Sequence, residues 1–252
     1  MTDLHCHLLP GIDDGARDDA TAVKMVRAAY AQGVRQIALT SHYTPELPLE
    51  NFLRDRAFAF QRLQSALAAE KPMEGLQFKL GAEVLYSPAL ASIPAERLCL
   101  QGTDVLLLEF RGSQIPFGLE DTIYALQSRG IVPLLAHVER YPFIMENPRW
   151  LYRWVAAGGY AQINAGTLCS GGRNHRLLEK LIRWELVQVL ASDAHSLHRR
   201  PPNLAEGLRA VESRLGSNVA GKMEWNAALL FSGEQPEPTA LHEPRRVWGK
   251  WQ

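Results

Sequence analysis

Near its start the chain reads "DLHCH", two histidines two residues apart on the first strand-like segment. Side chains two apart on a strand share a face, so His5 and His7 should project together while Cys6 turns away. Paired imidazoles pack poorly but make half of a metal site. An isolated His-x-His reads more readily as one buried, hydrogen-bonded histidine beside an exposed one. The pattern recurs, however. Polar residues close successive apolar segments: His42 in "ALTSH", Glu83 in "KLGAE", Glu109 in "LLLEF", His137 in "LLAH", and Asp193 with His195 in "VLASDAH". Asp14, in "GIDDG" after the first segment, can join them. Stability alone gives no reason to gather nine ionisable groups, because desolvating unpaired charge is costly. Bound cations would remove that cost. The donors exceed the four of one tetrahedral zinc, so two or three divalent ions sharing carboxylates are expected. Imidazole and carboxylate without thiolate suit manganese, iron or zinc. Such clusters clamp phosphoryl oxygens, and Arg140 ("HVERY") and Arg200 ("SDAHSLHRRPP") follow the donors closely enough to add guanidinium forks. Arg199 competes with Arg200, since spacing alone does not separate them.

The elements that must position these residues follow from periodicity. Apolar strand-like runs alternate with amphipathic stretches. "TDLHCH" precedes a helix-like "DDATAVKMVRAAYAQG" with Gly33 at the expected C-terminal cap. "VRQIALTSH" reads as a strand, residues 50–70 as a long helix, and "LQFKLGAEV" and "DVLLLEF" as strands. The helix "LEDTIYALQSRG" leads into the strand "IVPLLAH", and "NPRWLYRWVAAGG" into "YAQINA". A helix around "NHRLLEKLIRWE", the strand "VQVLASDAH" and helical sequence from "NLAEGLRAVESRLG" to about Phe231 complete the alternation. Seven strands alternating with helices imply an α/β fold with a parallel sheet that right-handed crossovers could close into a barrel; a doubly wound open sheet is the alternative. In either architecture the carboxyl ends of the strands meet at one face, which brings the nine polar residues together. The expected domain runs from 1 to 231. Residues 232–252, rich in proline and charge and holding Trp248 and Trp251, form a C-terminal tail laid over it.

Length and composition bound the rest. The chain has 252 residues, 46% hydrophobic and 21% charged, with a formal net charge of zero. That balance disfavours a nucleic-acid partner or an anionic membrane surface. Three cysteines, with no C-x-x-C, suit a reducing compartment. Strand-like sequence from residue 2 without a basic and apolar leader, and no run of roughly 18 apolar residues, point to a cytoplasmic protein without membrane insertion.

The pieces "DLHCHLLPGIDDG", "TSH", "GAE", "LLEF", "AHVERY" and "ASDAHSLHRRPP", in that order, resemble the PHP (polymerase and histidinol phosphatase) superfamily. More narrowly, they resemble the bacterial metal-dependent protein-tyrosine phosphatases associated with capsule and exopolysaccharide synthesis. The resemblance spans roughly residues 1–230. It implies a distorted seven-stranded (β/α) TIM-like barrel, single-domain, with a trinuclear, usually manganese, centre. Carried over by position, the ligands are His5, His7, Asp14, His42, Glu83, Glu109, His137, Asp193 and His195, and the phosphate-binding arginines Arg140 and Arg200. It also implies a phosphotyrosine protein as partner, the tail of a bacterial tyrosine kinase. Tyr43 departs from the pattern, standing where relatives often carry a basic residue or histidine. Oligomeric state is left open.

The chemistry expected of these residues is in-line attack on phosphorus by a water acidified by the cations, with the arginines neutralising the non-bridging oxygens. The cysteine-dependent phosphatase loop, Cys with Arg six residues on, is absent: positions 12, 105 and 175 hold Ile, Val and His. A phenol leaving group of pKa about 10 needs less protonation than an alkoxide. Competing readings are a histidinol-phosphate-type phosphatase, a phosphodiesterase or exonuclease, and a non-catalytic metal-binding protein. The complete donor set argues against the last.

Overall fold

The computed structural model describes residues 1–170, 175–237 and 240–252. The start of the predicted helix around 174–185 and part of the tail therefore lie outside the described residues. The first crossover shows how local sequence sets the path. Strand β1 (Thr2–Cys6) is buried throughout, and helix α1 (Asp19–Ala31) starts where the Asp18 side chain accepts the Thr21 N–H at 2.7 Å. Gly33, at φ 97°, turns the chain out of α1 into β2 (Gln36–Leu39). Here the predicted strand breaks. Thr40 and Ser41 leave the ladder, and β3 (His42–Tyr43) resumes beside a different neighbour. The Thr40 hydroxyl accepts the Cys6 N–H at 3.0 Å, and the Thr40 N–H donates to Cys6 O at 3.0 Å.

After α2 (Leu49–Ala68), the next predicted strand is likewise split, at Gly81–Ala82, into β4 (Gln77–Leu80) and β5 (Glu83–Leu85). A Cβ on Gly81 would lie 2.6 Å from the Leu100 side chain, so a larger residue at the break would displace Leu100. The remaining alternation is β6 (Val105–Glu109), α3 (Leu119–Ser128), β7 (Val132–Leu135), short α4 (Pro142–Glu146), α5 (Arg149–Ala156), β8 (Tyr160–Asn164), α6 (Ala165–Ser170), α7 (His175–Arg183), β9 (Val189–Ala191), α8 (Leu204–Leu215) and α9 (Ser217–Ser232). The short α4 and α6 were not expected, and the single helical stretch to Phe231 divides at Gly216, φ 99°.

The strands form a mixed α/β fold with two parallel sheets, ordered β1-β2-β4 and β3-β5-β6-β7-β8-β9. The ladders thus do not run as one continuous seven-stranded sheet. The Thr40–Ser41 and Gly81–Ala82 breaks divide them, and between β1 and the strand end after β9 the pairing is a single bridge, Cys6 to Ala194. Alternation sends side chains to two cores. Leu106 and Leu108 of β6 pack outward under the helices, whereas Val105 and Leu107 join Leu4, Ala38, Leu134 and Val189 in an inner cluster with Ala227, Leu230 and Phe231 of α9.

The C-terminal segment lies on the body, with a hairpin, β10 (Arg246–Val247) and β11 (Lys250–Trp251). Arg149 Nε donates to Pro244 O at 3.1 Å, Trp251 Nε1 to Glu146 O at 3.2 Å, and His242 stacks on Trp184. Trp248 at its turn is 96% exposed. No described helix is long and apolar enough to cross a membrane.

Candidate metal centre

Glu83 opens β5 directly after the strand break and is 1% exposed. Its Oε2 lies 3.1 Å from His5 Nε2, 3.2 Å from His7 Nε2 and 3.1 Å from His42 Nδ1. Its Oε1 is 2.7 Å from His137 Nε2. Asp193 Oδ1 stands 3.4 Å from His5 Nε2 and 3.3 Å from His195 Nδ1. Asp14 Oδ1 is 3.3 Å from both His42 Nε2 and His195 Nε2, and Glu109 Oε1 is 3.4 Å from His42 Nδ1. The donors form three overlapping groups: His7, Asp14, His42 and His195; His5, His7, Glu83 and Asp193; His42, Glu83 and Glu109. His137 adjoins the last two through Glu83. All nine residues named from the sequence meet at the carboxyl ends of the strands. Cys6 turns into the core, its thiol 3.2 Å from Ala38 O.

The donor set fits divalent cations. Glu83 Oε2, His42 Nδ1 and His195 Nε2 are buried without a hydrogen-bond partner. The Nε2 atoms of His5 and His7 face each other at 3.2 Å. Buried lone pairs are seldom left to face one another unless something positive sits between them.

The charges say the same. Burial alone would lower the His5 imidazole, but Glu83 and Asp193 raise it to about 10. His42, also opposed by burial, is raised to about 9 by Glu109 and Glu83. Burial pushes Asp193 up, yet His5 and Arg140 bring it down to about 2. His195 goes the other way, to about 4, through burial and the neighbouring His7. The carboxylates therefore favour positive charge at His5 and His42, the charge a bound cation would supply.

A second layer of side chains sets which ring nitrogen is bare, and the sequence reading missed it. Asp13 Oδ2 lies 2.8 Å from His7 Nδ1 and accepts the His42 N–H at 3.1 Å. Gln162 Oε1 accepts the His137 N–H at 2.9 Å and lies 3.1 Å from His5 Nδ1. Gln162 Nε2 donates to Asn164 Oδ1, and Asn164 Nδ2 to Asp193 Oδ2, each at 2.7 Å. Tyr141 Oη accepts the Phe110 N–H at 3.0 Å and stands 3.3 Å from His137 Nδ1. With Nδ1 of His5 and His7 engaged as donors, their Nε2 lone pairs point at the centre. Two signals were available: the doubled acid of "GIDDG", and the alternating amides of the buried strand "AQIN".

The backbone is bent to suit. His137 (φ 33°) and Asp193 (φ 51°) both adopt left-handed conformations that non-glycine residues rarely take. A Cβ on Gly15 would lie 2.2 Å from His7 O, so only glycine lets the Asp13–Asp14 loop close on the first strand.

Both arginines named from the sequence border the centre. Arg140 Nη2 pairs with Asp193 Oδ2, and Arg200 Nη2 with Asp14 Oδ2 at 2.9 Å. Arg199, the competitor, is exposed and pairs with no acid among the described residues. None of the three thiols is poised as a nucleophile: burial pushes Cys99 up to about 12, and raises Cys6 and Cys169 as well.

Known proteins share this arrangement of sequence. YwqE of Bacillus subtilis, a tyrosine-protein phosphatase, is 33% identical over 256 residues, 99% of both chains. CpsB of Streptococcus pneumoniae, also a tyrosine-protein phosphatase, is 29% identical over 88% of this chain and 94% of its own. A chain from the crystal structures of YwqE and CpsB, described as unique metal-dependent tyrosine phosphatases, superposes with a TM-score of 0.88 at 32% identity. The superposition covers 98% of this chain and all of that one. Residues 1–230 match the family described as capsular polysaccharide synthesis, CpsB/CapC, and the chain belongs to that family.

Proposed function

We propose that the chain is a metal-dependent phosphomonoesterase that removes phosphate from protein phosphotyrosine. One observation carries the reading: nine nitrogen and oxygen donors converge at one mouth, bordered by two guanidinium groups, with no thiolate nucleophile available. The names of YwqE and CpsB support the same activity.

In this reading His5, His7, Asp14, His42, Glu83, Glu109, His137, Asp193 and His195 hold two to three divalent ions, manganese in our assignment. When bound, the ions supply charge against the phosphoryl oxygens and acidify water at near-neutral pH. Asp13, Gln162, Asn164 and Tyr141 hold the ligand rings in place before substrate arrives. Arg140 and Arg200 bind the non-bridging oxygens, exchanging part of their pairing with Asp193 and Asp14 for the phosphoryl group. A phenolate leaving group of pKa about 10 departs with little help from an acid, which suits a mouth dominated by acceptors.

We also infer that the two sheets act as one distorted seven-stranded barrel, since β1, β2, β6, β7 and β9 all feed the inner cluster. Residues 1–231 would be the catalytic unit and 232–252 an attached tail. The proposed partner is a tyrosine-phosphorylated bacterial kinase tail in capsular polysaccharide synthesis. Three free cysteines fit a cytoplasmic location.

The test uses purified protein stripped of metal, refilled with manganese, zinc or iron, and offered a phosphotyrosine peptide, a phosphoserine peptide, histidinol phosphate and a single-stranded oligonucleotide. Manganese-dependent phosphate release, greatest from the phosphotyrosine peptide, is the expected result. Preference for histidinol phosphate or the oligonucleotide would overturn the substrate.

A further inference from the structure

Beside the centre, the lining of a groove of about 450 Å³ includes Gly15, Arg17, Thr21, Lys24, His195 and His198. It shares His195 with the donor cluster, and its floor at Gly15 continues from Asp14. The groove therefore adjoins the donor cluster at His195.

Its walls carry charge of one sign. Thr21 and Lys24, three residues apart, share a side of the first turns of α1, and Arg17 stands just before its cap. His198, exposed, faces them from the loop after β9. Asp18 caps α1 through the Thr21 N–H and pairs with Arg17 Nε at 3.2 Å, and Asp19 pairs with Arg62 at 2.8 Å. Lys24 has no ion pair among the described residues. The lining of the groove thus holds two cationic side chains, Arg17 and Lys24, and no carboxylate.

We propose that this groove selects substrates by an acidic side chain within about four residues of the phosphotyrosine. The proposal rests on the phosphatase reading and specifies the substrate class. An extended peptide advances about 3.4 Å per residue, so the first few positions on one side of the phosphotyrosine would traverse the groove. Exposed pairs of this kind are each worth a few-fold in affinity, and they weaken with salt. They lie away from the reacting atoms, so their effect belongs in KM.

The experiment compares phosphotyrosine peptides carrying Glu, Ala or Lys at the three positions before or the three after the phosphotyrosine. Each is assayed with the manganese-loaded protein and with its Arg17→Glu/Lys24→Glu variant, and a small aryl phosphate reports the integrity of the centre. The expected result is a KM about threefold to tenfold lower for glutamate on one side, shrinking at high salt. In the variant that preference should vanish or pass to lysine, with aryl phosphate turnover unchanged. Equal KM values for all peptides, or a preference that survives in the variant, would overturn the groove. Failure to hydrolyse any peptide or the aryl phosphate would overturn the phosphatase reading itself.

Discussion

The two ends of the strands are built from one alternating pattern and put to opposite uses. On β6, Val105 and Leu107 enter the inner apolar cluster, while Glu109, two residues on, enters the donor cluster. On β1, Leu4 belongs to the first and His5 to the second, and the register against β2 slips between Asp3 and Cys6, where the strand passes from one to the other. The apolar end gains free energy from burial without any ligand. The polar end holds buried imidazoles and carboxylates, some without a hydrogen-bond partner, and in our proposal cations complete it. Stability is concentrated where no chemistry occurs, and unsatisfied bonding capacity where it does.

That contrast can be broken from either side. The largest effect is expected from Glu83→Gln, which weakens the acceptor shared by four imidazoles. Phosphatase activity should fall by at least about 100-fold, with bound metal reduced in elemental analysis and the fold retained by circular dichroism. Near-normal turnover would mean the centre is not where the reaction occurs. Leu107→Ala, at the opposite end, should cost about 3 kcal/mol of unfolding free energy. The loss should be equal with and without metal in denaturant titrations, while kcat of the folded fraction stays constant. A metal-dependent loss would show that the two ends are coupled.

Asp13→Asn sharpens the comparison within the polar end. It leaves every proposed ligand in place but weakens the hold on His7 and the His42 backbone, so metal affinity should drop about 10-fold to 100-fold in competition with a chelator. The smallest effect is expected from Arg200→Ala. KM for the phosphotyrosine peptide should rise about 10-fold with metal content unchanged, and Arg199→Ala should do nothing comparable. The reverse outcome would transfer the phosphate contact to Arg199.

The sequence by itself determined which residues could become ligands and which end of the fold they occupy. Strand alternation, with a polar residue closing each apolar run, is a local property, and parallel β/α connection then obliges those residues to meet. His5, His42, Glu83, His137 and Asp193 were legible for that reason. The tertiary structure decided what depends on distances across the chain. Gln162 meets His5 from 157 residues away, and Asn164 meets Asp193 across 29; neither contact leaves a local pattern. The strand breaks at Thr40–Ser41 and Gly81–Ala82 arise where a strand changes partners, so a single apolar run conceals them. Asp13 and Asp14 are chemically identical neighbours, as are Arg199 and Arg200. Their division of labour is fixed by which way the loop turns: Asp13 back to His7, Asp14 toward His42 and His195, and Arg200 onto Asp14. Residue type sets the chemistry a side chain can perform, and only packing sets the direction in which it points.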